Sequence, residues 1–289
     1  MFATIPTVAF RPDVAAGLEL TSLRRILDTK APALLAPVRA AFYQIMWVQR
    51  GHARHTLDFE SVPLAPGSLL FVSPGRVHTF DLTADYEGQL LLFTAPFFAR
   101  SEAAAQFLHT TSLFEQGQEG PVVLAADAAT DFIPLWTQLA TELAQAPDTY
   151  QPLVLQQTVH TFLLLAERAQ RRQGYRPLAS SPHLGDTTRF RTLVEQQFRT
   201  QRAVRHYAAQ LGVTEKRLAQ ATAQVLGKLP KQLIAERLTL EAKRLLAHTP
   251  ASSKEVGFAL GFDEPTNFSK YFRQQTGLTP NQFRLLQGN

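Results

Sequence analysis

Apolar and polar positions divide the chain into three textures. From Phe42 to Phe98 short apolar runs alternate with turn signals. Tyr43–Val48 is rich in aromatic and β-branched residues and stops at Gly51. His55–Phe59 alternates, Leu69–Val72 lies between Pro66-Gly67 and Pro74-Gly75, and Leu90–Thr94 is a further apolar run. Short strands at this spacing predict a sandwich or barrel. From Thr130 to Arg172 the period becomes helical. Phe132, Leu135, Trp136, Leu139 and Leu143 recur every three or four residues, as do Leu155, Val159, Phe162, Leu163 and Ala166. Pro147 and Pro152 separate the stripes, and Pro152 suits a first helical turn. Helices are expected over 131–145 and 151–172, their stripes serving as core or subunit interface. Gln173 to Thr187 carries Pro, Gly and Ser without periodicity and reads as an interdomain linker.

The third texture, short helical segments broken by glycines, contains a repeat. Ala208-Ala209-Gln210-Leu211-Gly212-Val213 aligns with Gly257-Phe258-Ala259-Leu260-Gly261-Phe262. Leu218 meets Phe268 after a one-residue insertion, and Gly227-Lys228-Leu229-Pro230 meets Gly277-Leu278-Thr279-Pro280. Each copy has the logic of a helix-turn-helix. A small residue (Ala208, Gly257) lets two helices cross closely, and a glycine (Gly212, Gly261) supplies the positive φ of the turn. Thr214 or Asp263 is placed to cap the second helix, and Pro265 suits its first turn. That helix would bury Leu218, Ala221, Thr222 and Val225 in copy one, and Phe268, Tyr271 and Phe272 in copy two. Its other face carries Lys216, Gln220 and Gln224, or Thr266, Ser269, Lys270 and Arg273. These are donors suited to phosphates and base edges. Between the copies, Leu233, Ile234, Leu238, Ala242, Leu245 and Leu246 mark one face of a helix over 231–248, roughly 27 Å long. Such a spacer could hold two reading helices about one duplex turn (~34 Å) apart.

Composition narrows the function classes. The 289 residues suffice for two domains, and 45% apolar with 18% charged residues is ordinary globular usage. The absence of cysteine excludes a disulfide framework, thiolate metal sites and a cysteine nucleophile. The longest uncharged apolar stretch, Gly88 to Ala99, is too short to span a bilayer, and no basic region precedes an apolar one at the N-terminus. A soluble, cytoplasmic protein without membrane partners is expected. Charge is unevenly spread: residues 1–186 hold 13 Lys+Arg against 17 Asp+Glu, and residues 187–289 hold 16 against 7. A basic module on a mildly acidic body suggests a polyanion, nucleic acid first.

Residues 187–289 resemble the DNA-binding domain of AraC/XylS-type transcriptional regulators. The resemblance rests on Arg237-Leu238, Ala242, Leu245-Leu246, Thr249, Val256, Gly261-Phe262, Asn267-Phe268-Ser269-Lys270-Tyr271-Phe272-Arg273, Gly277-Leu278-Thr279-Pro280 and Phe283-Arg284. It implies two helix-turn-helix motifs, joined by a linker helix, in adjacent major-groove segments. Copy one departs from the pattern: Thr222 stands where the family usually has phenylalanine and Ala221 is small, so looser packing, or a smaller contribution to binding, is expected there. The N-terminal part resembles the sugar-sensing cupin domain of the same family, through Phe42-Tyr43-Gln44-Ile45, Gly51, Pro66 to Gly75 and His78. A metal-dependent cupin enzyme is the competing reading. Its glutamate position falls on Gln44 and its first histidine positions fall among Pro37 to Ala40, including Arg39 and Ala40, which leaves only His78 of four expected ligands. His52 and His55 break the spacing. No phosphate-cradling glycine loop, H-E-x-x-H or G-x-S-x-G is present.

The expected fold is therefore multidomain α+β. A cupin-like double-stranded β barrel with flanking helices (1–172) would sense a ligand and dimerise. A linker (173–187) would lead to an all-α DNA-binding domain with two helix-turn-helix motifs (188–289). Candidate DNA contacts are Thr214, Lys216, Arg217, Gln220, Thr266, Asn267, Ser269, Lys270 and Arg273. Tyr43, Trp47 and His78 are candidate ligand contacts, on residue type and because barrel mouths hold small ligands; core or rim packing is the other reading of the same three residues. Expected partners are double-stranded DNA, a small-molecule effector such as a sugar, a second copy of the chain and RNA polymerase, with no metal, cofactor or catalysis. The alternatives are a cupin enzyme with an accessory nucleic-acid module and a DNA-architectural protein without a ligand.

Overall fold

The computed structural model describes all residues except 1–3, 11–16, 28–35, 82–84, 115–121, 125–130, 176–181 and 289. The chain divides into two compact units, Pro6–Pro177 and Leu178–Asn289, the latter with Met1–Ile5.

The first unit contains two five-stranded sheets. One runs in the order β1 (Thr7–Val8), β3 (Val38–Ala40), β8 (Val77–Thr79), β5 (Ala53–Leu57), β6 (Glu60–Leu64). The other runs β10 (Val123–Leu124), β7 (Leu69–Val72), β4 (Tyr43–Gly51), β9 (Tyr86–Phe93), β2 (Leu18–Ser22). The four runs read from sequence became strands. The short β1, β3, β6, β8 and β10, with β2, carried too little pattern to be recognised.

The continuous apolar runs of β4, β7 and β9 follow from burial on both faces. In register, Ile45 pairs with Phe71 and Leu91, and Met46 with Leu70 and Leu90. Met46, Val48, Leu70, Val72, Leu90 and Leu92 point between the sheets, where Ala40, Ala53, Leu57, Val62 and Leu64 meet them. Ile45, Trp47, Leu69, Phe71, Leu91 and Phe93 point the other way, into a core shared with helices. Those helices are α1 (Ala95–Phe98), α2 (Glu102–Thr110), α3 (Ile133–Ala144) and α4 (Gln151–Arg172). The expected helix bounds hold within two residues, and Pro152 sits in the first turn of α4. Leu155, Val159, Phe162, Leu163 and Ala166 are fully buried, each large side chain contributing about 1.5–3 kcal/mol. Of the two roles expected for this stripe, the structure selects core.

The second unit is helical: α5 (Pro182–Gln197), α6 (Val204–Leu211), α7 (Glu215–Leu226), α8 (Pro230–His248), α9 (Ser253–Ala259), α10 (Pro265–Thr276) and α11 (Pro280–Leu286). Helix α5 begins inside the stretch read as linker, where Asp186 and Thr187 are buried; residues 176–181 of that stretch lie outside the described residues. The repeat is structural. Gly212 (φ 67°) ends α6, and Gly261 (φ 76°) follows α9. A Cβ on Gly257 would lie 3.0 Å from the Cβ of Phe268, so glycine permits the α9–α10 crossing. Copy one is not loosely packed: Leu218, Ala221 and Thr222 are fully buried, and α5 lies against α7.

Candidate nucleic-acid interface and sensor interior

Helices α7 and α10 hold the second position in each helix-turn-helix. Thr214 caps α7, its hydroxyl accepting from the backbone N–H of Arg217 at 3.1 Å. In copy two the insertion moves the cap: Glu264, not Asp263, is the N-cap of α10, without a side-chain hydrogen bond, and Pro265 begins the helix. With Leu218 buried on α7, the exposed face carries Lys216, Gln220 and Gln224. With Phe268 and Phe272 buried on α10, Thr266, Asn267, Lys270 and Arg273 are exposed and Ser269 is half-buried. Gln274, four residues beyond Lys270, extends this face and was legible only as a spacing.

One candidate is otherwise engaged. Arg217 donates Nε–H to Asp186 at 2.9 Å, and Arg189 donates to the same carboxylate at 2.8 Å. Burial by itself pushes the Asp186 carboxyl up; the hydrogen bonds from Arg189 and Arg217 outweigh it and hold the group below its usual range. Arg217 is thus a structural cation before it is a phosphate contact.

Helix α8 joins the motifs. Glu241, fully buried, accepts from Arg199 at 2.7 Å and from Arg237 at 3.2 Å. Arg237 also donates to Glu195 of α5 and lies 4.0 Å over the ring of Phe198. Tyr271 of α10 donates its hydroxyl to the carbonyl of Ala235 at 2.9 Å. Polar groups thus fix α5 and α10 to the linker helix.

In the first unit the three candidate ligand contacts do not converge. Tyr43 and Trp47 point from β4 toward the helices. Tyr43 stacks on Phe93 at 5.1 Å, and Trp47 packs on Trp136 at 5.3 Å. Alternation along β4 separates them from Gln44, which faces inward and donates its amide N–H to Nε2 of His78 at 3.2 Å. His55, set aside on spacing, is the inward residue of β5 between Ala53 and Leu57. Its ring centroid lies 5.4 Å from that of His78, and Phe80 lies 5.0 Å from it. Both imidazoles are buried. Among the described residues, neither nitrogen of His55 nor Nδ1 of His78 has a hydrogen-bond partner. Burial holds both neutral. It lowers His55 well below its usual range, helped by His78 and Arg76, and lowers His78 to about 4. At the end of β5, Asp58 (φ 57°) opens the two-residue turn to β6, and its carboxylate accepts from Arg76 at 3.0 Å with both side chains buried. Among the described residues, no three His, Cys, Asp or Glu converge as metal ligands.

Comparison with known proteins agrees with both halves. Residues 34–151 match the family described as an AraC-like ligand binding domain, and residues 207–285 match a helix-turn-helix domain. The HTH-type transcriptional activator RhaS of Enterobacter sp. (strain 638) is 22% identical over 244 residues, 84% of this chain and 85% of that protein. An AraC-type DNA-binding regulator from Chromobacterium violaceum is 26% identical over 36% of this chain and 94% of its own, with a TM-score of 0.34. ToxT from Vibrio cholerae is 13% identical over 85% of this chain and 90% of its own, with a TM-score of 0.40. With a ligand-binding domain ahead of a helix-turn-helix domain, the chain belongs to the AraC family of DNA-binding transcriptional regulators.

Proposed function

We propose that the first unit senses a small polyhydroxy metabolite between its two sheets and that this ligand biases DNA binding by the second unit. The observation that carries the reading is the pair His55 and His78. Among the described residues three of their four ring nitrogens are buried without a partner, and each unmet group costs about 1–3 kcal/mol. A neutral imidazole has one donor and one acceptor, and a hydroxyl satisfies either. A sugar-like ligand fits this chemistry, with Gln44 as a further contact and Tyr43 and Trp47 as supports behind β4.

Lys216, Gln220, Thr266, Asn267, Lys270 and Arg273 would meet the duplex, with Thr214 and Ser269 at the edge of the contact. The unit spanning 1–172 would sense and dimerise, and the unit spanning 188–289 would bind DNA. The protein would act in the cytoplasm, where RNA polymerase is the further partner of a regulator; among the described residues no helix is long and apolar enough to cross a membrane. It is not an enzyme in this reading, since Arg39, Ala40 and Gln44 occupy the positions of cupin metal ligands.

The test uses the full chain. A panel of sugars and polyols is screened by thermal shift, and a hit should lose its shift in His55→Ala and His78→Ala. Duplex affinity should change with the hit and fall steeply with salt as counterions are released. Lys270→Ala should weaken specific binding by about 1–3 kcal/mol if its side chain reads a base. A hit that survives both histidine substitutions would move the ligand elsewhere, and duplex binding indifferent to every hit would remove the coupling.

A further inference from the structure

The segment between α5 and α6 precedes the first helix-turn-helix, yet it ends on the second. Nη2 of Arg202 donates to the carbonyl oxygens of Leu260 and Gly261, both at 2.8 Å. These carbonyls lie at the turn after α9, where a helix leaves its last carbonyls without internal partners. The same guanidinium lies 3.8 Å from the ring centroid of Phe262, within cation–π range. Phe262 packs edge-on against Phe268 at 5.4 Å and at a tilt against Tyr271 at 5.3 Å, both on α10. The main chains also touch: a Cβ on Gly261 would stand 2.2 Å from the carbonyl oxygen of Arg199. Arg199 is anchored in turn to the buried Glu241 of α8.

We propose that Arg202 is a positioning residue for DNA recognition. It ties the turn of the second helix-turn-helix to the segment that leads into the first, so that α7 and α10 present their reading faces as one unit. Helix α8 sets the distance between the motifs, and the Arg202 clamp resists rotation of α9 and α10 about it. Two carbonyls and an aromatic face call for a planar fork with several donors, which arginine offers and lysine does not. The inference rests on the reading that α10 contacts DNA.

The full chain is footprinted on duplexes that it enriches from a random pool. The wild type should protect two segments, and the one weakened by Lys270→Ala is assigned to α10. Arg202→Ala should weaken protection of that segment by roughly tenfold, about 1.4 kcal/mol. The other segment and the salt slope should be unchanged. Arg202→Lys, which keeps the charge, should show the same selective defect and serves where the alanine variant loses its helical dichroism. Weakening of both segments with a shallower salt slope, full rescue by lysine, or unchanged protection would each overturn the clamp. A wild type that protects no duplex would instead refute the DNA-reading assignment.

Discussion

Arg217 and Asp186 are joined by a 2.9 Å hydrogen-bonded ion pair that ties the start of α7 to α5. The Asp186 side chain is 4% exposed and that of Arg217 is 56% exposed, so the carboxylate depends on the pair more than the cation does. Lys216, one position earlier, shares the exposed face of α7 with Gln220. The neighbours should therefore separate under mutation. Lys216→Ala should lower the salt slope of duplex binding by about 1 without loss of stability. Arg217→Ala should leave the slope nearly unchanged and destabilise the helical unit by about 1 kcal/mol, discounted for the exposure of Arg217 and the remaining bond from Arg189. Binding titrations at several salt concentrations, paired with thermal melts, check both. A slope that falls equally for the two would put Arg217 on a phosphate.

The buried histidines predict acid sensitivity of the first unit. The unfolded chain protonates His78 near its ordinary value of 6.5, whereas the folded chain resists down to about 4. Between these values the unfolded state binds more protons, so stability is present above pH 6.5 and is lost as pH falls toward 4. His78 alone contributes about 3 kcal/mol to that loss, and His55 acts in the same direction. Both tryptophans, Trp47 and Trp136, lie in this unit, so denaturant unfolding followed by tryptophan fluorescence reports on it alone. His78→Gln should flatten the decline between pH 6.5 and 4. A decline of the same size in the variant would assign it to other groups.

What the sequence disclosed depended on how strongly each site constrains residue type. Leu69–Val72 was legible as a strand to the residue because both faces are buried, which leaves four apolar side chains in a row. The same double burial hid the direction of Tyr43 and Trp47: alternation on β4 separates two apolar faces and so does not say which one faces the ligand. The pleat at His55 is legible, since Ala53, His55 and Leu57 alternate with polar Arg54 and Thr56, although His55 falls outside the ligand spacing of a metal-binding cupin. Gly212 and Gly261 announced the repeat because positive φ selects glycine. The cap of α10 was misplaced by one residue at the insertion, a local matter that no periodicity records.

Thr222 offers a test of packing against family pattern. Phenylalanine is usual there, yet Thr222 is fully buried with α5 against α7, and its hydroxyl donates to the carbonyl of Ala219 at 3.3 Å. Thr222→Phe must then displace the groups that bury it or take a strained rotamer. A cost of about 1–3 kcal/mol is expected from overpacking. Thermal unfolding of the full chain by circular dichroism measures it. A gain in stability would mean that the groups around Thr222 yield readily and that the phenylalanine fills space left open there.

The two faces of α4 carry different predictions for assembly. Leu155, Val159, Phe162, Leu163 and Ala166 are fully buried within the subunit, so Leu155→Glu with Phe162→Glu should unfold the first unit and not release folded monomers. The opposite side differs. Leu153 and Leu164 are each 50% exposed and stand eleven positions apart, three helical turns, on a face shared with Gln157, Thr161 and Arg168. Two exposed leucines on a long amphipathic helix form the apolar part of a surface that a second copy could cover, and a two-fold dimer is the commonest closed assembly. It would also place two DNA-binding units on paired half-sites. The full chain is therefore expected to dimerise, and Leu153→Glu with Leu164→Glu should yield monomers with unchanged tryptophan fluorescence. Sedimentation equilibrium decides the matter. A variant that stays dimeric would move the interface off α4, and a wild type monomeric at tens of micromolar would leave pairing on the operator to the DNA itself.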